Sequence, residues 1–336
     1  MANMESENVI STAVNWISQG KKVALATVVG TWGSSPRPAG SHLIVDSKSN
    51  FVGSVSGGCI EGAVITEALE TISDGQVRVL EFGVTNEQAW DVGLACGGNI
   101  RLFVESITDP KELELIADTR PLTVVTELSS GKKRLLNAND SLTDDLQFSD
   151  ALDKGIQEVV RNDFSRLISV EGSEYFVELL NLPLRMIIVG AVHISQALVG
   201  IAKSAGFEVS VIDPRGSFAT KTRFPDVTLI DEWPDDAVKA LKPDDRTALV
   251  TLTHDPKLDD PALEAALVSD CFYIGSLGSK KTHSARVERL LSNGFTDKQI
   301  NRIHAPIGLD IGAKSPSEIA VSILAEVISA KYNKVL

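Results

Sequence analysis

The sequence predicts an α/β protein, with an N-terminal α+β domain followed by a Rossmann-like domain built on a parallel sheet. Three observations carry this. From residue 184 onward, short apolar runs alternate with helical segments, the pattern of βαβ units covered on both faces. Between residues 22 and 106 strand-like runs predominate around a single helical pattern. The stretch IIVGAVHISQAL (187–198) then places a glycine where a strand turns into a helix.

Taken in order, an amphipathic helix is expected at about 7–19, then strands at 22–30, 41–46 and 51–56. A helix over 59–73 follows from Ile60, Val64, Ala68, Leu69 and Ile72, which recur at helical spacing. Two more strands, 76–83 and 99–106, complete a domain spanning 1–106. Residues 107–183 read as a connector with extra strands at 122–128, 133–138 and around 166–180, completing the first domain around the acidic stretch NANDSLTDDLQFSD. The domain over 184–336 has strands at 186–190, 207–213, 227–231, 247–253 and 271–276, separated by helices near 193–205, 234–241, 261–268 and 280–291. Ser315, Pro316 and Glu318 form a capping box at the start of the last helix.

The chain has 336 residues, a length that suits about two domains, and a formal net charge of −13. A field of that sign opposes nucleic acid and anionic lipid, so any anionic ligand has to be gripped locally by amides, helix N-termini or a few basic side chains. No apolar run approaches the ~18–20 residues of a membrane span. The start, MANMESENVI, lacks the basic and apolar regions of a secretory signal, and three cysteines are too few for a disulfide framework. The expectation is a cytoplasmic protein with reduced thiols.

Two of the three cysteines stand beside glycine doublets, in GSVSGGCIEGAV (53–64) and ACGG (95–98). Cys59 follows Gly57 and Gly58 at the predicted helix start. A helix N-terminus stabilises a thiolate and glycines leave the sulfur uncovered, while Glu61 adds opposing negative charge. Cys96, with Gly97 and Gly98, has equally small neighbours. Two such thiols suit a soft ligand, a persulfide or a redox pair; a tight packing corner accounts for Gly-Gly-Cys equally well. Cys271 opens an apolar strand and belongs to the core. The loop GTWGSSPRPAG offers Ser34, Ser35 and Arg37 as an oxyanion clamp, or is a proline-stiffened connection.

Further candidates sit at strand ends, where ligands of open α/β sheets collect. Gly190 takes the first position of a dinucleotide fingerprint, but Val192 replaces the second glycine and Ser195 stands at the third. His193 follows, and Asp213 stands where a ribose-binding acid belongs, with Arg215 beside it. His254 and Asp255 end the next strand, His254 as an acid–base or an orienting donor. Gly275, Gly278, Ser279 and Lys280 form a glycine turn into a helix N-terminus suited to a phosphate, without P-loop spacing. The five histidines (His42, His193, His254, His283, His304) share no ligand spacing with the cysteines, so no metal site is expected.

Together GSSPRPAG, GSVSGGCIEGAV, LACGG, VIDPR, LTHDPKLDDPAL, YIGSLGSKK and HAPIGLDIGAKSPSEIAVSILAE resemble the xanthine dehydrogenase accessory family of XdhC/CoxI type, over about 25–106 and 185–330. That resemblance implies a maturation factor. It would bind the molybdenum cofactor, a pterin with a dithiolene and a phosphate tail, as a transient ligand. It would aid replacement of an oxo by a sulfido ligand and deliver the group to a xanthine dehydrogenase type apoenzyme. Cys59 and Cys96 would then lie near the metal or carry sulfur, and Gly57–Gly58 and Gly275–Ser279 would hold the phosphate or pterin edges. A cysteine desulfurase is the expected sulfur-supplying partner, and a homodimer the expected assembly. The family's second domain usually carries G-A-G-H where this chain has Val192. An NAD(P)- or FAD-dependent oxidoreductase is the alternative, resting on Gly190 and Asp213, and a scaffold with inert cysteines is a third.

Overall fold

The structure is a computed structural model that describes residues 2–33, 37–83, 98–107, 109–138 and 140–332. It divides into two compact units, Met1–Leu182 and Pro183–Leu336.

Among its described residues the first unit holds two antiparallel sheets. One is ordered β3-β2-β1-β5-β4, from β1 (Val23–Gly33), β2 (His42–Asp46), β3 (Phe51–Gly53), β4 (Arg78–Gly83) and β5 (Gly98–Ile107). Strand periodicity splits β1 cleanly: Ala24, Ala26 and Val28 meet α2 (Glu61–Asp74) through Val64 and Ala68. Val23 and Leu25 face the opposite way, toward α1 (Ala2–Ser18) and α3 (Pro110–Asp118). Both faces are covered, which is why VALATVV reads as a continuous apolar run.

The second sheet is ordered β8-β7-β6-β10-β9, from β6 (Leu122–Glu127), β7 (Lys133–Asn137), β8 (Asp140–Ser141), β9 (Arg166–Val170) and β10 (Ser173–Leu180). Leu122, Val124, Leu135 and Leu180 share one core with Val23, Leu25 and Ile44 of the first sheet. Residues 107–182 are therefore packed into the first unit. Two helices here go beyond the sequence expectation, α3 and α4 (Asp150–Asn162). Their start signals are present: Asp109 caps Lys111 N with Pro110 at N1, and Ser149 caps Leu152 N. The acidic stretch before Ser149 masks the second of them.

The second unit is a six-stranded parallel sheet ordered β13-β12-β11-β14-β15-β16. Its strands are β11 (Arg185–Val189), β12 (Glu208–Ile212), β13 (Thr228–Ile230), β14 (Thr247–Thr251), β15 (Tyr273–Ser276) and β16 (Ile303–His304). Counted from β11, the order is 3-2-1-4-5-6, the doubly wound arrangement whose switch point lies between its first and fourth strands. Met186 and Ile188 face α5 (His193–Ser204) and α10 (Pro316–Lys331), whereas Ile187 and Val189 face α6 (Pro234–Leu241) and α7 (Pro256–Leu267). The capping box at Ser315 is present, with both of its hydrogen bonds. Helix α7 begins at Pro256 instead of 261, because Asp255 caps it and Pro256 takes N1. Two further helices, α8 (Lys280–Ser292) and α9 (Asp297–Ile300), complete the unit. Among the described residues no helix is long and apolar enough to cross a membrane.

Candidate functional site

In the first unit the chain leaves β3 and enters α2 through Ser54–Ile60. Val55 and Ser56 are buried, Ile60 and Glu61 are buried, and Gly57, Gly58 and Cys59 between them are exposed. Glu61 organises this corner from inside. Its Oε1 accepts from Ser54 Oγ (2.8 Å), Val55 N (3.2 Å) and Ser56 N (2.9 Å); its Oε2 accepts from Ser56 Oγ (2.5 Å) and Gly58 N (2.9 Å). Ser56 Oγ in turn accepts from Cys59 N and Ile60 N, both at 3.1 Å. Gly57 and Gly58 have φ of 77° and 115°, a region costly to side chains, so the turn requires glycine there. The N-cap of α2, Ile60, makes no side-chain cap of its own, and the acidic Glu61 stands in the first turn, where negative charge suits the helix N-terminus. Burial pushes the Glu61 carboxyl upward, but hydrogen bonds from Ser56 and Ser54 outweigh it and hold it at about 2.

Glu61 thus corrects one expectation. All five donors are the loop's own, so its carboxylate is an internal anchor with no oxygen turned toward a ligand or toward the sulfur. Cys59 is exposed at the tip of the corner it anchors. Cys96, Gly97, Ser34 and Ser35 lie outside the described residues. Gly98 opens β5 opposite Gly33, a ladder position, and Arg37 is partly buried.

In the second unit the switch-point crevice gathers the turns after β11, β12 and β14. Gly190 has φ 108°, and a Cβ there would stand 2.6 Å from Thr253 Cγ2, so its glycine serves the contact between two crevice turns. Ser195 Oγ donates to Gly190 O (2.5 Å) and tightens the same turn. Asp213 is fully buried. Its Oδ2 accepts from Ala191 N (2.8 Å) and Arg215 Nη2 (2.7 Å), its Oδ1 from Arg215 N (3.0 Å) and Nε (2.8 Å). Burial pushes this carboxyl up, yet Arg215 and the two amides bring it below the usual range.

Asp213 thus accepts the Ala191 amide, at the turn where a dinucleotide fold would offer backbone N–H groups, and all four of its own bonds come from this unit.

Exposed His193 begins α5, and exposed His254 follows β14 with a left-handed φ of 62°. Asp255 caps α7 through Lys257 N (3.0 Å), and Asp259 Oδ1 pins Thr253 by its Oγ1 (2.7 Å) and N (3.3 Å). Arg215 feels the charges of Asp255 and Asp259 after that of Asp213, so these groups converge. One strand further, Ser279 caps α8 through Thr282 N (3.2 Å), with Lys280 exposed behind it. Gly275 is a second correction. It lies buried inside β15, and a Cβ there would meet Ile307 Cδ1 at 2.5 Å and Tyr273 at 2.7 Å, so it is a packing glycine. Gly278, at φ 144°, does sit in the turn.

Two family models match this chain: "XdhC Rossmann domain" over residues 186–327 and "XdhC and CoxI family" over 16–83. The chain belongs to the XdhC and CoxI family. The Cys59 corner falls within the first of its two matched regions and the crevice within the second. An Escherichia coli (strain K12) protein named molybdenum cofactor insertion chaperone PaoD is 27% identical, over 98% of this chain and 90% of its own. A Bacillus subtilis (strain 168) protein, whose name makes it a probable component of xanthine dehydrogenase, is 28% identical over 93% and 94%. A crystal structure from Bacillus halodurans, described as a xanthine dehydrogenase, superposes with a TM-score of 0.74 at 23% identity over 98% and 97% of the chains, and so shares the fold.

For this XdhC-type chain, sequence reasoning missed Ser54 and Ser56, whose hydroxyls build the Cys59 corner, and the buried Asp259 of α7 and Arg286 of α8. The S-V-S spacing ahead of Glu61 was the available signal for the first pair. Nothing in the helical pattern marks the second. Among the described residues no cluster of three or more His, Cys, Asp or Glu side chains is placed to hold a metal ion.

Proposed function

We propose that this protein is an accessory factor of molybdoenzyme maturation that binds the molybdenum cofactor as cargo and delivers it to a xanthine dehydrogenase type apoenzyme. The observation that carries this reading is the exposed Cys59 on a glycine corner whose backbone is fixed by the inward Glu61. A soft thiol standing clear of the surface, on a rigid support, suits a soft metal centre or a transferable sulfur. The family membership and the names of the two curated relatives support the same role.

In this reading Cys59 meets the metal end of the cargo. Sulfur supply from a cysteine desulfurase, with Cys59 and Cys96 as acceptors, is the finer form of the proposal. The full chain mixed with cofactor released from a molybdoenzyme forms a stoichiometric complex, read by the cofactor's absorbance after gel filtration. Cys59→Ser weakens that complex at least about tenfold, a change of about 1.4 kcal/mol. Equal binding by both proteins, or by neither, overturns the proposal.

A further inference from the structure

Among the described residues seven buried side-chain polar atoms lack a hydrogen-bond partner, and four lie in one place: Asp259 Oδ2, His283 Nδ1, and Nε and Nη1 of Arg286. Such groups carry a desolvation cost that a native structure explains by something it binds. Arg286 is 2% exposed, and only its Nη2 has a hydrogen bond, to Leu277 O at 3.4 Å, while Asp260 Oδ1 stands off at 3.6 Å and Asp259 Oδ2 at 3.9 Å. Asp260 is already claimed by Arg289, at 2.5 and 3.1 Å. Asp259 spends Oδ1 on Thr253 and leaves Oδ2 open. This is a buried guanidinium with donors to spare, facing a buried carboxylate with an acceptor to spare, too far apart to satisfy each other.

The surroundings favour an anion. Arg286 and His283 lie three residues apart on α8, and the guanidinium is bonded to the carbonyl that precedes the Gly278–Ser279 turn, at the positive end of the same helix. Burial and then the Arg286 charge push His283 down, while burial pushes Asp259 up, so neither neighbour neutralises the guanidinium fully. Burial likewise lowers Arg286 itself. An anion with no proton would satisfy Arg286 and repel Asp259. An oxyanion that keeps one O–H satisfies both, accepting from Nε and Nη1 and donating to Oδ2.

We propose that Asp259 and Arg286 form a recognition pair for a phosphate group that retains one P–OH, lodged behind the 277–279 turn. The pair deepens the reading of this chain as a cofactor-binding accessory factor and rests on it for the natural ligand. Uptake requires the turn to give way, and Gly278 supplies the backbone freedom.

Near neutral pH inorganic phosphate carries such a hydrogen and sulfate does not, so the two ions separate recognition from plain charge attraction. Calorimetry on the full chain at matched ionic strength, with inorganic phosphate, glycerol phosphate and sulfate in separate titrations, tests the proposal. Phosphate binds at least about tenfold tighter than sulfate, a gap of the size set by one unpaired buried polar group. Arg286→Met loses phosphate binding. Asp259→Asn, nearly isosteric and able to donate, collapses or reverses the preference over sulfate. Glycerol phosphate is titrated at about pH 5.5, below its second ionisation at about 6, where the monoester keeps its P–OH; binding there supports a monoester tail as the ligand, and its failure beside tight inorganic phosphate overturns the link to the cofactor. No phosphate binding by the wild type, equal affinity for sulfate, or an unchanged preference in Asp259→Asn overturns it. These titrations contain no molybdenum cofactor, so failure here and failure of the cofactor reading are told apart.

Discussion

The turns that open α2 and α5 use one device to opposite ends. Each is a glycine corner between a strand and a helix, and each has a buried carboxylate of its own accepting backbone amides: Glu61 takes those of Val55, Ser56 and Gly58, and Asp213 takes that of Ala191. At α2 the carboxylate stands behind the corner, so the glycines and Cys59 are pushed outward and left open. At α5 it accepts the Ala191 amide of the turn itself, and Arg215 closes over it. A glycine-rich turn is therefore not an anion site merely by its sequence. What decides is whether the protein already supplies the anion. The turn into α8 has no such internal carboxylate on its amides among the hydrogen bonds of the described residues, and two donors of Arg286 behind it are unsatisfied.

The sharpest way to break this comparison is to remove the anchor of the open corner. Glu61→Ala strands the Ser56 hydroxyl and three loop amides, and lowers unfolding stability by about 3 kcal/mol in urea titration. A loss no larger than that of a surface substitution would show that the carboxylate does not hold the corner. Next, Gly190→Ala forces a Cβ into Thr253 and a non-glycine residue into a left-handed backbone, and costs about 2 kcal/mol.

Acid sharpens the comparison from another side. Because Glu61 is held at about 2, its contribution is fully present above the ordinary glutamate range and is lost as pH falls through that range toward about 2. Wild type and Glu61→Gln melts therefore converge over that window, and curves that stay parallel would contradict the assignment. A smaller effect concerns the closed turn. Val192→Gly restores the middle glycine of the fingerprint but leaves Asp213 on the Ala191 amide, so an NADH fluorescence titration of that variant stays flat. Saturable NADH binding would mean that Val192 alone had kept the nucleotide out.

Much of this is written plainly in the sequence. The alternation of buried runs and helices from 184 onward marks the parallel sheet, since strands covered on both faces have no polar positions to hide the pattern. Ser315 and Glu318 mark α10 through capping chemistry that is local. The glycines at 57 and 58 announce an exposed turn because their positive φ excludes side chains.

The direction a charged side chain faces is not legible. Glu61 one residue after a glycine loop reads the same whether it meets solvent, a ligand or its own backbone, and only the donors at Ser54 and Ser56 turn it inward. Gly275 looks like a loop glycine, yet Tyr273 and Ile307, the latter 32 positions downstream, fill its Cβ position. Asp259 and Arg286 sit in ordinary polar helical sequence, and only the tertiary structure brings them face to face.

The account turns most directly on what the Cys59 sulfur does. Titration of released molybdenum cofactor into the full chain, with wild type and Cys59→Ser compared, measures this, because the substitution at an exposed tip should shift the melting free energy by less than about 0.5 kcal/mol. The account predicts a stoichiometric complex for the wild type and one at least about tenfold weaker for the equally stable variant. Undiminished cofactor affinity in Cys59→Ser would contradict it.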